Sequence, residues 1–221
     1  MYGGYTNIPN TFSRLLDLIL PRRARMMRTL GRTEDDIPLR PASHHLLGTD
    51  ITTLLDYRDP SVQDLIRSLK YDGSGHSAHI CASILADFLQ DEIAATKAFS
   101  PRKVLLVPMP LHTERMRERG FNQIGIILDR LPAPLRDGTH AILAPSVLRR
   151  TKATPQQAHL SRYDRIKNMR DAFEVSNDAR IHDTHIFLID DVTTTGATLA
   201  SATKTLRKSG AQVTPIALAR A

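Results

Sequence analysis

The chain has one cysteine, Cys81, and no tryptophan. A lone thiol excludes an intramolecular disulfide and any metal site built from several thiolates. Aromatic residues make up only 5% of the 221 positions, so a nucleic-acid surface built on rows of stacking rings is poorly supplied. Long apolar runs are also missing. The stretch Leu15–Leu20 is interrupted by Asp17 and followed by Arg22, Arg23 and Arg25, the reverse of a secretion signal's charge order. It is too short to cross a bilayer. The expectation is a cytoplasmic protein with no membrane insertion and no internal repeats.

What remains is ordinary for a soluble fold: 41% hydrophobic and 24% charged residues, enough for one sizeable domain with an appendage. The net charge of +7 favours anionic partners without choosing between a nucleotide and a nucleic acid. The charge is uneven, because residues 149–170 hold seven basic side chains and one acidic one, a local excess of +6.

Chemistry is concentrated in Ile186–Leu199. Four apolar residues suit a strand buried on both faces of a parallel sheet. Asp190 and Asp191 then fall at its carboxyl end, where open α/β sheets bind ligands. Thr193, Thr194 and Thr195 offer hydroxyls, Gly196 permits close backbone approach, and a helix from Ala197 or Thr198 presents free N–H groups. Such a loop suits a phosphate. The adjacent carboxylates suit sugar hydroxyls or hydrated Mg²⁺. The plainer reading is a strand-to-helix turn with a capping threonine.

This stretch resembles the ribose-phosphate loop of type I phosphoribosyltransferases. Four further segments resemble ComF-type competence proteins, a branch of that superfamily: Leu15–Arg23, Leu65–Tyr71, the Arg-Gly-Phe-Asn-Gln run at 119–123, and the spaced Arg150-Thr151, Gln156 or Gln157, Leu160-Ser161, Arg165 and Asn168. The resemblance implies an α/β chain with the type I phosphoribosyltransferase fold, a mainly parallel sheet flanked by helices under a largely helical N-terminal hood. Residues 1–49 are expected as a degenerate N-terminal segment, and 50–221 as the phosphoribosyltransferase-like domain with hood helices at 50–95.

The resemblance also implies roles. Asp190 and Asp191 would be the catalytic acids, holding ribose hydroxyls and Mg²⁺ directly or through water. Thr193, Thr194, Thr195, Gly196, Ala197 and Thr198 would bind the 5-phosphate of phosphoribosyl pyrophosphate. Pro108, Met109, Pro110, Arg119, Arg150 and Lys152 would bind pyrophosphate, with Lys70, Arg115, Arg117 and Arg165 as additional candidates. An enzyme transferring the phosphoribosyl group to a nitrogen acceptor is favoured over a ligand sensor or a DNA-uptake accessory that binds nucleic acid or a competence partner. A homodimer is left open. Simpler roles stand beside these: Lys70 as a solvated helix end, Arg115 and Arg117 paired with Glu114 or Glu118, and residues 149–170 as a nucleic-acid patch. The family's zinc ribbon does not carry over, since Ala24 and Met27 occupy cysteine positions. His44 and His45 read as solvated loop residues, and Cys81 as a small core residue.

The remaining elements follow from local signals. Residues 22–41 read as irregular and 50–95 as mainly helical, with one helix opening after Asp59-Pro60 and a second from Ser77 to Ile93. Strands are expected at Val104–Val107, 147–148, 172–175 and Gln212–Leu218, the last at a sheet edge because of Pro215.

Overall fold

The computed structural model describes residues 27–111, 116–117, 120–151, 172–176 and 180–221. Six strands form one sheet in the order β1-β2-β8-β7-β3-β4. These are β1 (Leu39–Leu46), β2 (Thr49–Asp56), β3 (Lys103–Pro108), β4 (Ile142–Leu143), β7 (Thr184–Thr193) and β8 (Gln212–Arg220). β1 and β2 pair antiparallel, and every other pairing in this sheet is parallel. The short strands β5 (Leu148–Arg150) and β6 (Phe173–Val175) form a separate antiparallel ribbon.

Two apolar layers cover the sheet. On one face, α1 (Pro60–Asp72), α2 (Gly75–Phe99) and α3 (Gln123–Leu128) pack through Leu65, Leu69, Leu85 and Ile127 onto Phe187 and Ile189. On the other, α4 (Ala197–Lys208) and the β5–β6 ribbon pack through Leu199, Leu206, Leu148 and Phe173 onto Ile186 and Leu188. Alternate residues of a strand point to opposite faces, so β7 feeds both cores in turn.

Local chemistry sets the limits of α1. The Asp59 carboxylate accepts from the Ser61 N–H, Pro60 occupies the first turn where no donor is needed, and Gly73 ends the helix in the left-handed region at φ 60°. The expected second helix is present and longer, running to Phe99.

The N-terminal half differs from the sequence expectation. Residues 49–56 are a strand rather than helix, and 39–46, partly expected to be irregular and loop-like, are its antiparallel partner. His44 and His45 accordingly lie in β1. The sheet therefore crosses the expected boundary between residues 49 and 50. Leu47 (φ 52°) and Gly48 (φ 73°) form a two-residue turn with both φ values positive, which matches the strand twist of a hairpin. Pro41 sits in the irregular stretch of the outermost strand, where its missing N–H is tolerated.

β8 is interior, between β2 and β7, which corrects the edge placement inferred from Pro215. The physical reason is register. β8 pairs with β7 from Gln212, but its pairing with β2 starts at Thr52↔Ile216, so at Pro215 the strand is still uncovered on that side.

Candidate functional site

The topology singles out one position. β3 leads through α3 to β4 on one side, while β7 leads through α4 to β8 on the other. The chain thus departs in opposite directions from two adjacent parallel strands, and their carboxyl ends mark the position at which open α/β sheets take ligands. The β3–β7 ladder ends at Pro108↔Ile189, so Asp190 and Asp191 project just beyond the end of β3.

β7 itself continues to Thr193, beyond the point where a loop was expected, because β8 still pairs with it there. Asp190 feels the charges of both Lys70 from the helical layer and Arg150 from the β5–β6 ribbon. Asp191 follows Phe187 and Ile189 toward α1 and α2. On that side the Lys70 ammonium, from the last turn of α1, lies 3.1 Å from Asp191 Oδ2, with side chains only 19% and 15% exposed. The Val192 N–H donates to Asp191 Oδ1 at 2.6 Å, and the Asp191 N–H donates to Asp190 Oδ1 at 2.9 Å. Burial first, then the neighbouring Asp191 charge, pushes the Asp190 carboxyl up to about 7, although Lys70 and Arg150 act in the opposite direction.

The threonine-rich turn is closely fitted. Thr193 is buried and its carbonyl accepts from the Ala221 N–H, whereas Thr194 is exposed and Thr195 and Thr198 are half-buried. Gly196 begins α4 at φ 77°, and a Cβ there would lie 2.7 Å from Leu46 Cβ and 3.0 Å from Ile51 Cδ1. The β1–β2 hairpin therefore closes directly over this turn. The Ala197 N–H points at Thr195 Oγ1 at 3.4 Å.

Opposite it, Pro108 and Met109 are buried and Pro110 is half-buried. Met109 stays attached to the sheet: its N–H donates to the Ile189 carbonyl at 2.7 Å, and its side chain lies in the core. Its carbonyl accepts from Asn122 Nδ2 at 3.1 Å. Met109 thus sits at the carboxyl end of β3 with both backbone groups engaged. Asn122 also accepts from the Ile124 and Gly125 N–H groups, capping α3. Neither Asn122 nor the adjacent Gln123 was among the residues assigned a site role by sequence, although both stand in the 119–123 run. Gln123 is 1% exposed, and its Nε2 has no hydrogen-bond partner among the described residues.

Arg150 lies at the end of β5 with its guanidinium 5.5 Å from the Phe173 ring centroid. Arg149 is 3.7 Å from Glu174 in an exposed pair. Arg117 is exposed. Arg115, Arg119, Lys152 and Arg165 lie outside the described residues.

Among the described residues, no group of three or more His, Cys, Asp or Glu is arranged to hold a metal ion. Mg²⁺ demands near-octahedral oxygen coordination and dehydrates reluctantly. Asp191 already has Lys70 on one oxygen and the Val192 N–H on the other. The donor set does not fit a resident ion held directly by both acids. His44 is bonded to Thr53 Oγ1 at 3.0 Å and to Arg220, while exposed His45 pairs with Asp50 at 2.7 Å. Burial followed by the Arg220 charge holds the His44 imidazole below its usual pKa. Cys81 is fully buried, which pushes its thiol up to about 12, with the Asp191 charge adding to the effect. It is a core residue, as expected. No helix among the described residues is long and apolar enough to cross a membrane.

No protein-family model matches the chain. Among curated proteins it is similar to the DNA utilization protein YhgH of Escherichia coli K12, with 30% identity over 161 residues, 73% of this chain and 67% of that protein. It is also 33% identical over 108 residues to competence protein F of Haemophilus influenzae, covering 48% of this chain and 45% of that one. Competence protein ComFC of Bacillus subtilis is 30% identical over 154 residues, covering 70% of this chain and 56% of that one. Among solved structures, a hypoxanthine phosphoribosyltransferase from Staphylococcus aureus matches at 15% identity with a TM-score of 0.36, over 65% of this chain and 62% of that chain. An adenine phosphoribosyltransferase from Saccharomyces cerevisiae matches at 12% identity with a TM-score of 0.35, over 85% and 88%.

Proposed function

The chain belongs to the ComF family of competence proteins, and from that premise we propose that it is an accessory protein of DNA uptake or utilisation whose α/β domain binds a phosphoribosyl ligand between β3 and β7. The observation that carries this reading is the position of Asp190 and Asp191. They stand beyond the end of β3 at the point where the chain turns away in both directions, immediately before the turn at Thr193–Thr198. In this reading the carboxylates accept from ribose hydroxyls, and the exposed Thr194 hydroxyl and the first N–H groups of α4 hold the 5-phosphate. Pro108, Met109 and Pro110 form the opposite wall. Arg150 faces the pyrophosphate, since guanidinium groups bind its oxygens bidentately and stay charged. Arg119, Lys152, Arg115 and Arg165 join it on the strength of the sequence motifs. Any Mg²⁺ would be carried by the ligand, whose oxygens and waters would fill its shell, with neither carboxylate bound to it directly.

Calorimetry with phosphoribosyl pyrophosphate tests the site. Binding by the wild type that is lost in Asp190→Asn/Asp191→Asn is the expected result; equal binding by both proteins overturns the assignment. The nucleic-acid side of the proposal predicts DNA affinity that falls steeply with salt and weakens when Arg149 and Arg150 are neutralised.

Turnover is a second reading, favoured by the Asp190 carboxyl at about 7. A nitrogen nucleophile would attack the anomeric carbon as the bond to pyrophosphate breaks, and its proton would pass to Asp190. The transition state resembles an oxocarbenium ion, so the protein's work is positioning and charge stabilisation. Pyrophosphate release with a panel of nucleobases and amines separates a transferase from a binding protein.

A further inference from the structure

The cation at the carboxylate pair is supplied by the chain itself. Lys70 is half-buried at the end of α1, with Nζ 3.1 Å from Asp191 Oδ2. The helix that carries it is fixed rather than free to swing. Leu65, Ile66 and Leu69 are fully buried, the Gly73 and Ser74 N–H groups both donate to the Ser68 carbonyl, and the Phe121 ring would lie 3.2 Å from a Cβ at Gly73. Arg150 on the other side of the sheet adds a second positive charge that acts on Asp190. The two acids therefore face two cations of the protein, and no third carboxylate or imidazole joins them among the described residues.

We propose that the Lys70 ammonium takes the place of the divalent cation beside Asp191, so that this protein binds its phosphoribosyl ligand without a resident metal. The inference rests on the phosphoribosyl reading of the site. An ammonium carries three N–H donors. One is directed at Asp191, which leaves others for the anionic oxygens of a bound ligand. A directly bound Mg²⁺ would instead share Asp191 with a fixed positive charge and be repelled by it. Lys70 thus has two tasks: it binds the ligand's oxygens, and it neutralises Asp191 and holds that carboxylate in one orientation for the ribose hydroxyls.

Titration calorimetry of the full chain with phosphoribosyl pyrophosphate, in EDTA and in excess Mg²⁺, tests this without depending on any variant. The wild type is expected to bind with affinities within about threefold in the two buffers, a difference of about 0.7 kcal/mol. Binding that appears only with Mg²⁺ overturns the inference and leaves the phosphoribosyl reading intact; no binding in either buffer overturns both. Lys70→Ala should lose at least about tenfold in EDTA and recover part of it with Mg²⁺, whereas Lys70→Arg should remain metal-independent. Unchanged affinity of Lys70→Ala in EDTA would also sink the proposal. Circular dichroism of each variant establishes that it is folded before its affinity is compared.

Discussion

Two glycines with nearly the same backbone conformation offer a controlled experiment on how the site is built. Gly48 has φ 73° and Gly196 has φ 77°, so replacing either by alanine places a side chain in the left-handed region at similar conformational cost, about 1–2 kcal/mol. Their surroundings differ. A Cβ at Gly48 meets nothing within 4 Å, whereas one at Gly196 would lie 2.7 Å from Leu46 Cβ and 3.0 Å from Ile51 Cδ1. Leu46 is contacted at its own Cβ, which no rotamer change moves away, and the Ile51 Cδ1 methyl, though a side-chain end, belongs to a fully buried residue. Relieving the contact requires the hairpin or the turn to move, an overpacking cost of about 1–3 kcal/mol. Gly196→Ala should therefore lose about 2–5 kcal/mol, and Gly48→Ala only about 1–2. For a chain of this size each kcal/mol lowers the melting temperature by roughly 2–4 °C. Differential scanning calorimetry of the two variants reads the difference directly. Equal melting temperatures would refute the claim that the β1–β2 hairpin presses on the threonine turn, because the backbone term is common to both.

Two further consequences follow from the site. The Asp190 carboxyl is raised from its ordinary value of 3.8 to about 7, so between those values the native state binds more protons than the unfolded chain. Stability contributed by the protonated acid is present below pH 3.8 and lost as pH rises toward 7. Asp190→Asn should flatten that decline, and melting curves recorded from pH 4 to 8 that keep the wild-type slope would contradict it. Asn122→Ala removes a cap on α3 and the bond to the Met109 carbonyl, which should cost about 1–2 kcal/mol and lower the urea midpoint with an unchanged slope; an unshifted midpoint would count against the cap.

The sequence was readable where local chemistry dictates structure. Asp59-Pro60 and Gly73 mark α1 because a cap, a donor-free first turn and a left-handed terminator act within a few residues. The apolar run before Asp190 identifies β7 because both its faces are buried. The β1–β2 hairpin was not legible. β1 is almost wholly exposed and shows no alternation, and its turn uses Leu47-Gly48 in place of the Asn-Gly or Asp-Gly that signals such a connection. Pro215 misled because its tolerance depends on register with a strand far away in sequence. The Lys70–Asp191 pair was hidden for the same reason: the motifs nominated both residues, but only packing of α1 on the sheet brings them together.

The alternation of β7 has a consequence for how the protein can change. Asp191 pairs with Lys70 of the helical layer, and the Asp191, Lys70 and Arg150 charges all act on Asp190. A substitution at Lys70 in the helical layer or at Arg150 in the ribbon is therefore felt at Asp190, through the sheet that separates the two layers.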